Sequence, residues 1–382
     1  MTLSIVEIPL PAPAPGTQRT LKVRRYGNPG ARPKVYLQAA LHADEWPGLM
    51  ALHHLSRKLD ALDREGAIQG EIVLVPYANP IGLDQAINDR VLGRYALADG
   101  GGNFNRAWPD LAETVLAAVA GSLGADEDAN VKTVRAALRD AVDGLPEATE
   151  KAFLKKTLLG LSIDADVVLD VHCDSEAVVH LYGLQQHQAL LEDLGEDLAA
   201  PVVLLEEDAG GDPFDTANSA PWVKLKASLS DDVPLPAACF ACTVELRGRA
   251  AVSNDLGDRD ASGLLNFLRR AGAVTGTADK PNGERPAGTP LDGVDVVKAP
   301  TAGLASYSCA PGDHVEAGQV VAEVIDITAD NAATAGTLVT AGTSGMVFSV
   351  RTDRLTRAGA TMVKIAGREA LVHRRAGQLL EN

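Results

Sequence analysis

The stretch Val35-Tyr36-Leu37-Gln38-Ala39-Ala40-Leu41-His42-Ala43-Asp44-Glu45-Trp46-Pro47 decides the fold class. Its first six residues form a nearly continuous apolar run, the pattern of a strand covered on both faces. Pro47 stands where a first-turn proline belongs, and Leu52, Leu55, Leu59 and Leu62 then recur at spacings of three and four. A covering helix follows from that periodicity. Strand passing directly into helix is the building unit of an α/β layered domain.

Working outward, Ile72 to Tyr77, Val167 to Val171, Val202 to Leu205 and Cys239 to Leu246 read as further strands. Several are almost entirely apolar, as expected of a mixed, largely parallel sheet flanked by helices. Leu111 to Leu161 is rich in Ala, Leu, Asp and Glu, with a glycine break near Gly121 to Gly124, and predicts two or three helices inserted between strands. A helix-like run covers Ala261 to Ala271. Thr275 to Pro290 is dense in Gly, Thr, Ala, Pro and charge without periodicity, and reads as a linker. Beyond it, valine-rich runs alternate with turns at Ala310-Pro311-Gly312-Asp313, Glu316-Ala317-Gly318 and Thr343-Ser344-Gly345 from about Leu291 to Gly367, predicting a small all-β module. The expected division is residues 1–274 for the α/β domain, 275–290 for the linker and 291–382 for the β-rich module with its tail.

Bulk properties agree with two domains in 382 residues, 46% of them hydrophobic. No apolar run reaches eighteen residues and no leader-like segment opens the chain, so a soluble cytoplasmic protein is expected. Cys173, Cys239, Cys242 and Cys309 are too few and scattered for a disulfide framework. A net charge of −16 argues against nucleic-acid and anionic-membrane partners. Any anionic ligand then needs local help, which directs attention to Arg90, Arg94, Arg106, Arg247 and Arg249.

His42-x-x-Glu45 lies where a strand ends and a helix begins, and His172 ends the strand Leu169-Asp170-Val171. Side chains at such strand ends converge in a crevice of an α/β sheet, and two His with one carboxylate leave a fourth zinc position open for water. H-x-x-E alone is a weak signal. The rest of the constellation strengthens it. Zinc lowers the pKa of bound water from about 15.7 toward roughly 7, and a neighbouring carboxylate can pass the proton to a leaving nitrogen; Glu245, at the end of the last apolar strand, is the candidate. Arg94 is placed to stabilise an oxyanion. Asn105 and Arg106 suit a carboxylate clamp.

His42-x-x-Glu45, Arg94-Tyr95, Asn105-Arg106, His172 and Glu245 occur in the order seen in zinc carboxypeptidase-like hydrolases. With Asn79-Pro80, Trp108-Pro109 and the β-rich C-terminal module, the chain resembles the succinylglutamate desuccinylase/aspartoacylase branch. The resemblance covers most of the chain. It implies zinc ligands His42, Glu45 and His172, one zinc per chain, oxyanion residue Arg94, carboxylate clamp Asn105 and Arg106, and general base Glu245. It also implies a deacylase acting on a small N-acylated amino acid or related amine, with a metallocarboxypeptidase acting on short peptides as the nearer alternative. The chain departs from the family pattern at Ala43-Asp44, where Gly-Asn is frequent. Arg247, in Leu246-Arg247-Gly248-Arg249, is a further candidate for an anionic group of the substrate.

Other features carry less chemistry. Cys239-x-x-Cys242 lies in an extended run where residues three apart face opposite sides, so core packing outweighs redox chemistry. His53 and His54 belong to the covering helix, and His180 and His187 are weaker pocket candidates. Asp170 and Asp174 compete for the imidazole of His172. Gly100-Gly101-Gly102 lacks a phosphate-cradle context, and no G-x-S-x-G elbow is present. The C-terminal module resembles a biotinyl/lipoyl-like barrel-sandwich hybrid, but Thr328 to Gly336 contains no lysine to modify. That disfavours a non-catalytic carrier. A structural module is expected, one that narrows the pocket entrance or mediates homo-oligomer contacts, with Tyr307 a candidate substrate contact.

Overall fold

The computed structural model describes residues 2–207, 210–372 and 374. The chain divides into two compact units, the first formed by Met1–His172, Gly211–Thr243 and Val252–Pro281, the second by Cys173–Gly210, Val244–Ala251 and Asn282–Asn382.

The first unit is a mixed sheet flanked by helices. Its strands run in the order Ser4–Pro9, Thr20–Tyr26, Glu71–Val75, Lys34–Ala39, Val167–Asp174 and Phe240–Gly248. Lys34–Ala39 pairs in parallel with both neighbours, Leu37 opposite Leu74 on one side and opposite Leu169 on the other. The N-terminal hairpin is antiparallel and joins Glu71–Val75 in the same sense. The central strands are buried along nearly their whole length, which is why their sequences are apolar rather than alternating.

The covering helix spans Pro47–Arg64 with Pro47 in its first turn. It seats directly on the sheet at Gly48, where an added β-carbon would stand 2.9 Å from Ala39 Cβ and 3.0 Å from Val171 Cγ1. Three helices, Ala112–Val119, Glu127–Asp143 and Glu150–Ser162, fill the segment where two or three were expected, and their apolar faces join the core around Leu138, Leu154 and Trp222. Asn254–Arg270 packs on the covering helix, its Gly257 admitting Met50 and His54. Cys239 and Cys242 are buried and unbridged, and burial pushes the Cys239 thiol up to about 12, as a packing role requires.

In the second unit, His180–Leu184, Val202–Glu206 and Gly288–Pro290 pair in parallel beside the helix Gln188–Leu198. The C-terminal strands form two sheets. One runs Val294–Lys298, Thr361–Gly367, Gly345–Val350, His314–Val315; the other Gly336–Thr340, Val320–Ile325, Gly303–Tyr307, Leu355–Thr356. Val297, Val347 and Ile365 from the first and Ala305, Val324 and Val339 from the second share one apolar core. No helix among the described residues is long and apolar enough to cross a membrane.

Candidate metal centre

After the strand Lys34–Ala39, Ala40 adopts φ 56°, in the left-handed region. That costs a residue with a β-carbon about 1–2 kcal/mol and persists only where the surroundings fix it. The surroundings are specific. Asn79 Nδ2 donates to the Leu41 carbonyl at 2.8 Å, while its Oδ1 accepts from the Gly82 amide at 2.8 Å and caps the short helix Pro80–Leu83. Ala43 N–H donates to Gly93 O at 3.1 Å, and the Ala43 methyl fills space that a β-carbon on Gly93 would enter at 2.4 Å. The Glu45 amide closes a turn on His42 O at 3.1 Å.

These constraints bring the sequence-predicted triad together. His42 Nδ1 lies 3.0 Å from Glu45 Oε1, and His172 Nδ1 lies 2.8 Å from Glu45 Oε2. One oxygen of the carboxylate thus faces each ring. All three side chains are buried, with ligand-capable atoms within 4.8 Å of one another. The opposite ring nitrogens are also engaged: His42 Nε2 meets Asn103 Oδ1 at 2.7 Å, and His172 Nε2 lies 2.9 Å from Asp170 Oδ2 and 3.3 Å from Asn105 Nδ2. The amide of Asn105 is oriented by Phe214 N–H, which donates to its Oδ1 at 2.8 Å. Asn103 Oδ1 can only accept, so the proton of His42 Nε2 points to it. Asp170 sets a carboxylate charge beside His172 Nε2. Both Nδ1 atoms face Glu45.

Charge follows from this geometry. Burial alone would raise the Glu45 carboxyl, but His42 and His172 outweigh it and hold Glu45 well below the ordinary carboxylate range. Burial alone would lower His172, yet Asp170 and then Glu45 raise it well above the ordinary imidazole value. Asp215 is pushed up to about 6, first by burial and then by the charge of Asp170. The cluster therefore attracts positive charge. Two imidazoles and one carboxylate, each within reach of the others, could hold a metal ion.

Asp170 rather than Asp174 stands behind His172; Asp174 pairs with Lys364 at 2.8 Å in the second unit. Behind Asp170 a buried chain continues, Gln38 Nε2 donating to Asp170 Oδ1 at 2.9 Å and Tyr36 OH donating to Gln38 Oε1 at 2.7 Å. Asn103, Gln38 and Tyr36 were missed by sequence reasoning. A glutamine inside an otherwise apolar strand was the available signal for Gln38.

Arg94 joins the triad, its Nη1 donating to Glu45 Oε1 at 2.8 Å. Asn105 is buried against His172, and Arg106 Nη1 donates to the Asn105 carbonyl at 2.7 Å. Glu245 and Arg247 are half-buried on the strand Phe240–Gly248, in the segment belonging to the second unit, and Arg247 adopts φ 46°, in the left-handed region. Tyr307, also of the second unit, lies under the guanidinium of Arg354, 4.8 Å from the ring centroid. Arg90 and Arg249 are exposed. His54 is buried against Asn254 at 3.2 Å, and His180 is fully buried in the second unit.

Known proteins resemble this chain in sequence and in fold. Residues 31–141 match the Succinylglutamate desuccinylase/Aspartoacylase catalytic domain. The chain is 27% identical over 311 residues to N-alpha-acetyl-L-2,4-diaminobutyric acid deacetylase from Halomonas elongata, covering 78% of this chain and 72% of that protein. A crystal structure of a succinylglutamate desuccinylase/aspartoacylase family protein from Shewanella amazonensis superposes with a TM-score of 0.84 at 25% identity, covering 95% and 98% of the two chains. The ectoine utilization protein EutE (DoeB) from Ruegeria pomeroyi shares the fold, with a TM-score of 0.65 at 20% identity over 95% and 94% of the chains. The matched segment contains His42, Glu45, Arg94, Asn105 and Arg106, so the part of the chain that carries most of the site is similar to the succinylglutamate desuccinylase/aspartoacylase catalytic domain.

Proposed function

We propose that this chain is a zinc-dependent deacylase that removes the acyl group from the nitrogen of a small amino acid or related amine, using one zinc per chain. The observation that carries the reading is the buried triad in which the Nδ1 atoms of His42 and His172 face the two oxygens of Glu45. Its likeness to a deacetylase of an N-acetylated amino acid supports the substrate class.

When bound, zinc supplies Lewis acidity and acidifies water. His42, Glu45 and His172 would hold it, with Asp170 and Asn103 keeping the two rings in register. Arg94, already against Glu45, brings a fixed cation to the cluster and would stabilise negative charge developing on the scissile carbonyl. Asn105 and Arg106 are assigned to the substrate carboxylate, with Arg247 and Tyr307 as further contacts. Glu245 is assigned proton transfer from water to the leaving nitrogen.

The test is a panel of N-acyl amino acids and blocked dipeptides against zinc-loaded protein. Turnover of the N-acyl amino acids is expected, with Glu245→Gln losing about 10²- to 10⁴-fold in kcat. His172→Ala should lose both stoichiometric zinc and activity. Wild-type protein that binds no stoichiometric zinc, or a Glu245→Gln variant at full rate, sinks the mechanism; preference for the dipeptides turns it into a peptidase.

A further inference from the structure

Outside the triad, the helix Glu150–Ser162 carries two lysines on one face, Lys151 and Lys155, four residues apart. Like charges at that spacing oppose each other in a helix, so their retention calls for partners elsewhere. Both reach the loop that bears Arg94, Asn105 and Arg106. Lys151 Nζ donates to Gly101 O, and its backbone N–H to Asp99 Oδ2 at 3.3 Å. Lys155 Nζ donates to Arg106 O at 2.7 Å and Ala107 O at 3.3 Å, and sits 4.8 Å over the ring of Trp108. Thr149 caps the helix through its Oγ1, which accepts from Ala152 N–H at 3.2 Å, so the lysines project from a fixed start.

The backbone they hold is strained. Ala107 adopts φ 54°, a conformation disfavoured for a residue with a β-carbon. It is pinned on the other side by Ala107 N–H to Gly211 O and Trp108 N–H to Asp212 O, each at 3.0 Å. Among the described residues no carboxylate pairs with Lys155. Burial first, and Lys151 second, pull its ammonium down to about 8. A methionine of similar length would fill the same space without that opposition, so packing alone gives no reason for a lysine here.

We propose that Lys155 is a positioning residue for substrate binding: by holding the carbonyls of Arg106 and Ala107 it fixes the backbone carrying Asn105 and Arg106, and so sets affinity for substrates that bear a carboxylate. The proposal rests on the assignment of Asn105 and Arg106 to the substrate carboxylate.

The experiment compares zinc-loaded wild type, Lys155→Met and Lys155→Arg on an N-acyl amino acid and on the corresponding N-acyl amine lacking the carboxylate. Lys155→Met is expected to raise KM for the first about tenfold, the scale of one lost charged hydrogen bond, with kcat, zinc content and thermal midpoint held. KM for the amine stays put, and Lys155→Arg restores most of the loss. Hydrogen exchange at the amides of residues 105–108 gives a substrate-free readout, faster in Lys155→Met and slowed again in Lys155→Arg. Unchanged KM and unchanged exchange in Lys155→Met overturn the proposal, as does a loss shared equally by both substrates or accompanied by loss of zinc. Wild type inactive on every N-acyl amino acid overturns the functional reading and the proposal with it.

Discussion

Two buried polar clusters lie almost adjacent in sequence, and they solve opposite electrostatic problems. His172 sits between Asp170 at 2.9 Å and Glu45 at 2.8 Å, so two carboxylates bracket one ring and the first unit's cluster is short of positive charge. Two residues on, Asp174 pairs with Lys364 at 2.8 Å, and the second unit's cluster is already balanced. His180 beside it, 3.8 Å from Asp174, stays neutral: burial, offset only partly by Asp174, pulls it down to about 4. Both clusters are buried and both contain histidine. Charge balance separates a site that asks for a cation from one that only holds strands together.

The largest expected effect breaks the balanced cluster. Lys364→Met leaves Asp174 buried without its cation and should cost about 3–5 kcal/mol of stability, read from denaturant or thermal midpoints. Removing the acid as well, with Asp174→Leu, should recover most of that loss. Zinc stoichiometry should not move, and if it does the two clusters are not independent.

The next effect concerns His180. Its pKa in the fold is about 4, against about 6.5 for an ordinary imidazole, so below the latter the unfolded chain binds the extra proton. Stability is then intact above about pH 6.5 and falls as the pH drops toward about 4, by up to about 3 kcal/mol. His180→Gln should flatten that stretch of the stability profile. An identical slope in the variant assigns the acid sensitivity elsewhere.

The smallest effect probes the cation-seeking cluster from behind. Asp170→Asn keeps the shape but removes the charge facing His172 Nε2, and zinc affinity measured by chelator competition should fall about 10- to 100-fold. Affinity equal to wild type would mean that Asp170 does not set the ring's proton.

The contrast between the clusters shows where sequence reading succeeds. Periodicity and turn residues are local, so the strand Lys34–Ala39, the helix Pro47–Arg64 and the strand-end positions of His42 and His172 were legible. What stands behind each histidine was not, because those contacts join residues 61 and 132 positions apart: Asn103 to His42, and Gln38 to Asp170. Asp170 and Asp174 flank His172 symmetrically in the chain, and only the partners across the sheet distinguish them. Lys155 was invisible for a different reason: it lies in a helix whose pattern announces packing, while its role comes from carbonyl groups that every sequence has.

Ala43, lying between two triad residues, carries a consequence for descent. A β-carbon on Gly93 would stand 2.4 Å from the Ala43 methyl, 2.8 Å from the Gly82 carbonyl oxygen and 3.0 Å from Ala43 Cα. Two of these three obstacles are backbone atoms, so position 93 is held to glycine whichever residue stands at 43. Among relatives that keep this loop, glycine at 93 is therefore expected to be fixed while position 43 is free to vary.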